Sequence, residues 1–126
     1  MKQHSIHQQV TFLYTNNLEQ SSAFYRDVLD LEFALDQGAC HIYKLSPTSF
    51  IGVCSLADRP TSPVGVTISL VVEDVDDFPR TLVGKGVRFE RAPAYSEPFK
   101  VYSCLFLDPN GYRIEIQEFR DEKWSR

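Results

Sequence analysis

The chain lacks an excess of positive charge, a long apolar run and any closely spaced pair of cysteines, and each absence removes a class of function. Thirteen Lys and Arg against seventeen Asp and Glu leave a net charge of −4 and a pI near 5.3. No basic stripe exists to displace counterions from phosphate, so nucleic acid is not an expected partner. No stretch approaches the roughly 20 apolar residues of a membrane span, so no membrane partner is expected. Cys40, Cys54 and Cys104 leave one odd thiol and read as buried, reduced residues rather than a disulfide framework. The run Met1 to Gln9 is polar, without the apolar core of a secretion signal, and the expected location is cytoplasmic. No P-loop, dinucleotide fingerprint or nucleophile–base spacing is present.

What is there suits one ordinary domain over residues 1–126. Hydrophobic residues make up 43% and charged residues 24%, and a chain of this length buries about two-thirds of its unfolded surface without metal or disulfide staples. Nine Phe, six Tyr and one Trp are a rich aromatic share. They fit either a well-packed β core or a pocket for a flat ligand.

Val10 to Tyr14 is β-prone and ends at Thr15-Asn16-Asn17. Asn17 is a good N-cap with Gln20 as its capping-box partner. Leu18, Ser22, Tyr25, Val28 and Leu29 then recur at helical spacing, which predicts an amphipathic helix of about three turns. Ala39 to Leu45 reads as a second strand, Ser46-Pro47-Thr48 as a turn and Ser49 to Leu56 as a third strand. Asp58 to Gly65, with Pro60 and Pro63, reads as a linker.

The pattern then restarts. Val66 to Val72 alternates small polar with aliphatic residues, and Val75, Phe78 and Leu82 mark a helix that starts near Asp76 because Pro79 lacks a donor. Gly84-Lys85-Gly86 ends it through a left-handed cap. Val87 to Arg91 reads as a strand and Ala92 to Pro98, with two prolines, as a loop. The closing hairpin is Lys100 to Leu107 and Tyr112 to Phe119, around Asp108-Pro109-Asn110-Gly111. In that turn Pro109 presets φ, and Asn110-Gly111 tolerate positive φ. Asn17-Leu18-Glu19 matches Asp74-Val75-Asp76, and Leu31-Glu32-Phe33 matches Val87-Arg88-Phe89. The expected fold is therefore α+β: two βαβββ repeats, about 9–57 and 65–119, whose curved mixed sheets enclose a cleft with helices on the outer faces.

Residues Asn17 to Leu31, Val72 to Asp76 and Phe106 to Ile116 resemble the vicinal oxygen chelate superfamily, which includes glyoxalase I, extradiol dioxygenases and bleomycin-resistance proteins. The Asp-Pro-Asn-Gly-Tyr-Arg-Ile-Glu-Ile block is the most specific match, and the resemblance runs from about Gln9 to Phe119. It implies metal-ligand positions on four strands, which here fall on Val10, Gly52, Thr67 and Glu115. Only Glu115 carries a customary donor, and three protein ligands are the usual minimum for a catalytic metal. No metal or other cofactor is therefore expected.

Strand parity places Val10, Phe12 and Tyr14 on one face, Thr67, Ser69 and Val71 on its repeat, and Arg113 and Gln117 beside Glu115. Phe12, Tyr14, Thr67, Ser69, Arg113 and Glu115 form the expected binding set for a small, mostly aromatic organic molecule. Glu115 reads as a lone carboxylate, either solvated or facing an aromatic cleft, where it is the only candidate general base or a partner for a cationic ligand. Cys54 shares the face of Gly52, but a buried inert thiol is the commoner state. His4, His7 and His41 read as exposed or core-edge residues. Resemblance to the superfamily further implies a homodimer, with Trp124 and the proline-rich loops as interface parts. Two alternatives stand beside the binder: a divalent-metal lyase or dioxygenase with an atypical ligand set, and a structural or regulatory dimer without ligand.

Overall fold

A computed structural model describes residues 5–61, 65–82 and 84–123, with the side chains of 79–81 left out. His4, Pro63 and Trp124 lie outside the described residues. The chain divides into two compact units, Met1–Thr61 and Ser62–Arg126. Each is a βαβββ unit with a four-stranded mixed sheet, so the fold is α+β as the repeat predicts. No helix among the described residues is long and apolar enough to cross a membrane.

In the first unit β1 (Gln9–Tyr14) leads to α1 (Leu18–Ala23), which continues as a π turn over Phe24–Val28. Asn17 caps it as expected, its Oδ1 accepting from the Gln20 N–H at 3.1 Å. The π turn was not legible in the spacing. Leu29 N donates to Phe24 O at 3.0 Å, and the widened turn lets Phe24, Tyr25 and Leu29 all be buried. β2 (Glu32–Asp36), β3 (Cys40–Ser46) and β4 (Ser49–Cys54) complete a sheet of order β1-β4-β3-β2, with β1 and β4 parallel. Helix and sheet meet through Tyr25 and Tyr43, whose ring centroids lie 6.4 Å apart. Leu13, Ile51 and Val53 fill the same buried layer. Each such aliphatic side chain contributes about 1.5–3 kcal/mol by leaving water.

The second unit repeats this with β5 (Thr67–Val71), α2 (Asp77–Leu82), β6 (Arg88–Ser96), β7 (Val101–Leu107) and β8 (Arg113–Phe119). Its sheet order is β5-β8-β7-β6, with β5 parallel to β8. Val75, Leu82, Cys104, Phe106, Ile114 and Ile116 are buried. The start of α2 is tied to the sheet twice: Glu118 accepts from the Val75 N–H at 3.0 Å, and the Tyr102 hydroxyl donates to Asp76 at 2.7 Å.

Two boundaries differ from expectation. β6 runs on through Ala92 and Pro93 to Ser96 instead of ending in a loop at Arg91. It is an edge strand with a register shift between Arg91 and Ala94, a place where a missing N–H costs no ladder bond. In the closing turn only Gly111 takes positive φ, at 91°. Gly111 N donates to Asp108 O at 3.0 Å, which makes Pro109-Asn110 the corner of a type I turn.

The cysteine expectation is corrected for two of the three. Cys40 and Cys54 are cross-strand partners in the β3–β4 ladder and are joined as a disulfide. A sequence separation of 14 hides this, because the Ser46–Ser49 reversal folds one strand onto the other. Cys104 is free and buried, and burial raises its thiol above the usual value.

Candidate functional site

Each sheet has a helix-side face and an opposite face, and the expected site residues all lie on the latter. In the first unit that face carries Val10, Phe12 and Tyr14 of β1 beside Phe50, Gly52 and Cys54 of β4. In the second it carries Thr67, Ser69 and Val71 of β5 beside Arg113, Glu115 and Gln117 of β8. Register partners in a parallel pair point the same way, so parity reasoning and the ladders agree.

The two sheets also share an irregularity. β2 shifts against β3 between Phe33 and Leu35, and β6 shifts against β7 between Phe89 and Arg91. The shifts bring Leu35 and Arg91 to equivalent places. Reading across the first sheet gives the row Leu35, Ile42, Gly52, Phe12. The matching row of the second sheet is Arg91, Leu105, Glu115, Ser69. One row is wholly apolar; the other has a cation, a carboxylate and a hydroxyl.

Gly52 is where the apolar row closes up. A Cβ added there would lie 2.6 and 2.7 Å from two ring carbons of Phe12 and 3.0 Å from Ile42 Cδ1. The Phe12 ring therefore lies over the glycine, in space a side chain at this position would need. Phe12 as a residue is 46% exposed and so presents an aromatic surface. Tyr14 lies beyond it, with the Arg59 guanidinium 6.0 Å from its ring centroid.

Glu115 is not the lone carboxylate expected. Arg91 Nη2 lies 3.5 Å from Glu115 Oε2, and the same guanidinium donates to Ser103 O and Ser103 Oγ, both at 2.9 Å. Sequence reasoning missed Arg91 because the register shift that turns it toward Glu115 leaves no periodic signal. Arg113 pairs with Glu90 at 3.2 Å, and Gln117 donates to the Ser69 hydroxyl. On this face two cations are thus matched by two carboxylates.

His41 belongs to the other side of its sheet. Its Nδ1 lies 2.8 Å from the Ser22 hydroxyl, which also contacts the Tyr43 hydroxyl, and its Nε2 lies 3.6 Å from Asp36. That network joins α1 to β3. Among the described residues, no group of three or more His, Cys, Asp and Glu is placed to hold a metal ion.

A sequence model described as the Glyoxalase/Bleomycin resistance protein/Dioxygenase superfamily matches residues 6–116. No curated protein matches the chain. Among solved structures, an integron cassette protein from the mobile metagenome of a Halifax Harbour sewage outfall is 24% identical, with a TM-score of 0.75 over 89% of this chain and 97% of the other. A glyoxalase/bleomycin resistance protein/dioxygenase from Nocardioides is 18% identical, with a TM-score of 0.76 over 100% and 91%. A lactoylglutathione lyase from Agrobacterium tumefaciens is 21% identical, with a TM-score of 0.72 over 98% and 100%. At these identities the solved structures share the fold.

Proposed function

The chain belongs to the glyoxalase/bleomycin resistance protein/dioxygenase superfamily, and from that premise we propose that it binds a small, mostly aromatic organic molecule without a divalent metal. The observation that carries the reading is the Phe12 ring over Gly52. Of the superfamily's four ligand positions, Val10 and Gly52 have no donor side chain and Thr67 has a neutral hydroxyl. The fourth, Glu115, is already matched by Arg91. This donor set does not fit a catalytic divalent ion.

The same residues suit an organic ligand. Phe12 and Tyr14 supply stacking area, with ring geometry that favours planar partners. On the sheet of the second unit, Thr67, Ser69 and the Arg91–Glu115 pair offer donors and acceptors to a polar group. Glu115 is the strongest acceptor among them, and we assign it a hydrogen bond to the ligand. The alternative metal-dependent lyase or dioxygenase has Glu115 alone in its favour.

A thermal-shift screen of planar aromatic compounds tests the reading, because a ligand that binds only the folded chain raises its midpoint by mass action. For any compound that does so, Glu115→Gln should weaken binding about tenfold, the value of one charge-assisted hydrogen bond. Its effect on stability should stay below about 1 kcal/mol, because the Arg91–Glu115 pair is partly exposed. Unchanged affinity in Glu115→Gln would remove Glu115 from the site, and a screen without hits would count against the binder as a whole.

A further inference from the structure

Cys40 opens β3 and Cys54 closes β4, directly opposite each other. Ser55 N donates to Ala39 O at 2.9 Å, so the neighbouring pair is the hydrogen-bonded one. Cys40 and Cys54 then occupy a non-hydrogen-bonded position, where opposed side chains approach most closely. Their Cα atoms are 4.1 Å apart and their sulfurs are joined. The two ends of the bridge differ in access: Cys54 is 1% exposed, whereas Cys40 is only half-buried. Cys54 is also the register partner of Tyr14, so the bridge lies on the face that carries Phe12 and Tyr14.

We propose that Cys40–Cys54 is a reversible thiol–disulfide exchange site, entered at Cys40 by low-molecular-weight thiols. A thiolate from solvent attacks Cys40 Sγ, the Cys40–Cys54 bond breaks, and its electron pair leaves on Cys54 Sγ, which takes a proton from water. A second thiolate attacks the outer sulfur of the mixed disulfide and releases Cys40 as a thiolate, which is protonated in turn. Two small thiols become one small disulfide, and the protein disulfide gains two electrons and two protons. The ladder from His41↔Val53 to Lys44↔Phe50 on one side of the bridge, and the Ser55–Ala39 hydrogen bond on the other, hold the strands in register throughout. The reduced sulfurs therefore remain side by side and can close again without refolding. Opening the bridge replaces an apolar S–S bar beside Tyr14 with two thiols.

Titration of the native protein with 2-mercaptoethanol and hydroxyethyl disulfide, read by alkylation and mass spectrometry, tests this. The untreated, air-exposed protein should alkylate at Cys104 alone after denaturation. With rising thiol, Cys40 and Cys54 should become alkylatable together while the far-ultraviolet circular dichroism stays unchanged, and replacing the thiol with hydroxyethyl disulfide, which accepts the two electrons, should restore the bridge. Cys54→Ser treated with hydroxyethyl disulfide should accumulate one mixed disulfide at Cys40. Cys40→Ser should react at Cys54 at least about tenfold more slowly, as a shielded sulfur must. Three alkylatable cysteines in air-exposed protein, a bridge that opens only in denaturant, or equal rates in the two variants would each overturn the proposal. The wild-type titration decides the matter even where a variant fails to fold.

Discussion

Replacing Asp108 with alanine should lower the stability of the chain by about 2–4 kcal/mol. Asp108 is 1% exposed although it opens a surface turn. Its Oδ1 accepts from the Asn110 N–H and the Tyr112 N–H, both at 2.8 Å, and its backbone closes the hairpin through Tyr112 O at 2.9 Å. Alanine would strand both amides, that of Tyr112 in a buried setting, and each unsatisfied buried donor costs about 1–3 kcal/mol. Asp108→Asn keeps an accepting oxygen at the same place and should lose less than half as much. Denaturant unfolding of the three proteins checks both values. Equal losses in the two variants would mean that the charge, and not the accepting oxygen, holds the turn.

Gly52→Ala should cost about 1–3 kcal/mol, the range for one methyl forced into filled space. The methyl would meet the Phe12 ring and Ile42, and the ring is the part able to give way because it is half exposed. The cost should therefore be specific to Phe12. In a double-mutant cycle, Phe12→Ala should remove most of the penalty of Gly52→Ala, leaving a coupling of at least about 1 kcal/mol. Additive effects would show that the ring does not occupy the space above the glycine. Ligands that depend on the aromatic face should also lose affinity in Gly52→Ala, where the ring is displaced, while compounds held by the Arg91–Glu115 pair should not.

These two positions show which parts of the molecule the sequence makes visible. The turn at Asp108-Pro109-Asn110-Gly111 and the Asn17 cap are local, with donor and acceptor a few residues apart, and both could be read directly. The repeat was legible because helix-start and strand-start patterns recur, and parity along each strand then separated Phe12 and Glu115 from the buried Leu13 and Ile114. What escaped depends on register. Arg91 reaches Glu115 through a bulge, Cys40 meets Cys54 across a hairpin, and the Phe12 ring covers Gly52 on the next strand. None of these pairings has a sequence period. Pro93 misled in the opposite direction, since proline argues against a strand unless the strand lies at an edge. The π turn at Phe24–Val28 escaped because three buried residues, Phe24, Tyr25 and Leu29, fit the ordinary helical pattern nearly as well.

The two sheet faces differ in kind from a metal centre with missing corners. One sheet offers an aromatic and aliphatic row, and the other offers a carboxylate set between a guanidinium and a hydroxyl. The aromatic row suits the flat body of an organic molecule and the Arg91–Glu115 row suits a polar group, whereas a divalent ion is served well by neither.

Metal content tests that claim most directly. Protein purified without chelator and analysed by inductively coupled plasma mass spectrometry should carry far less than one equivalent of nickel, zinc, manganese or iron per chain. It should also take up none after incubation with each ion and desalting. A stoichiometric ion that is retained, and lost in Glu115→Gln, would contradict the account.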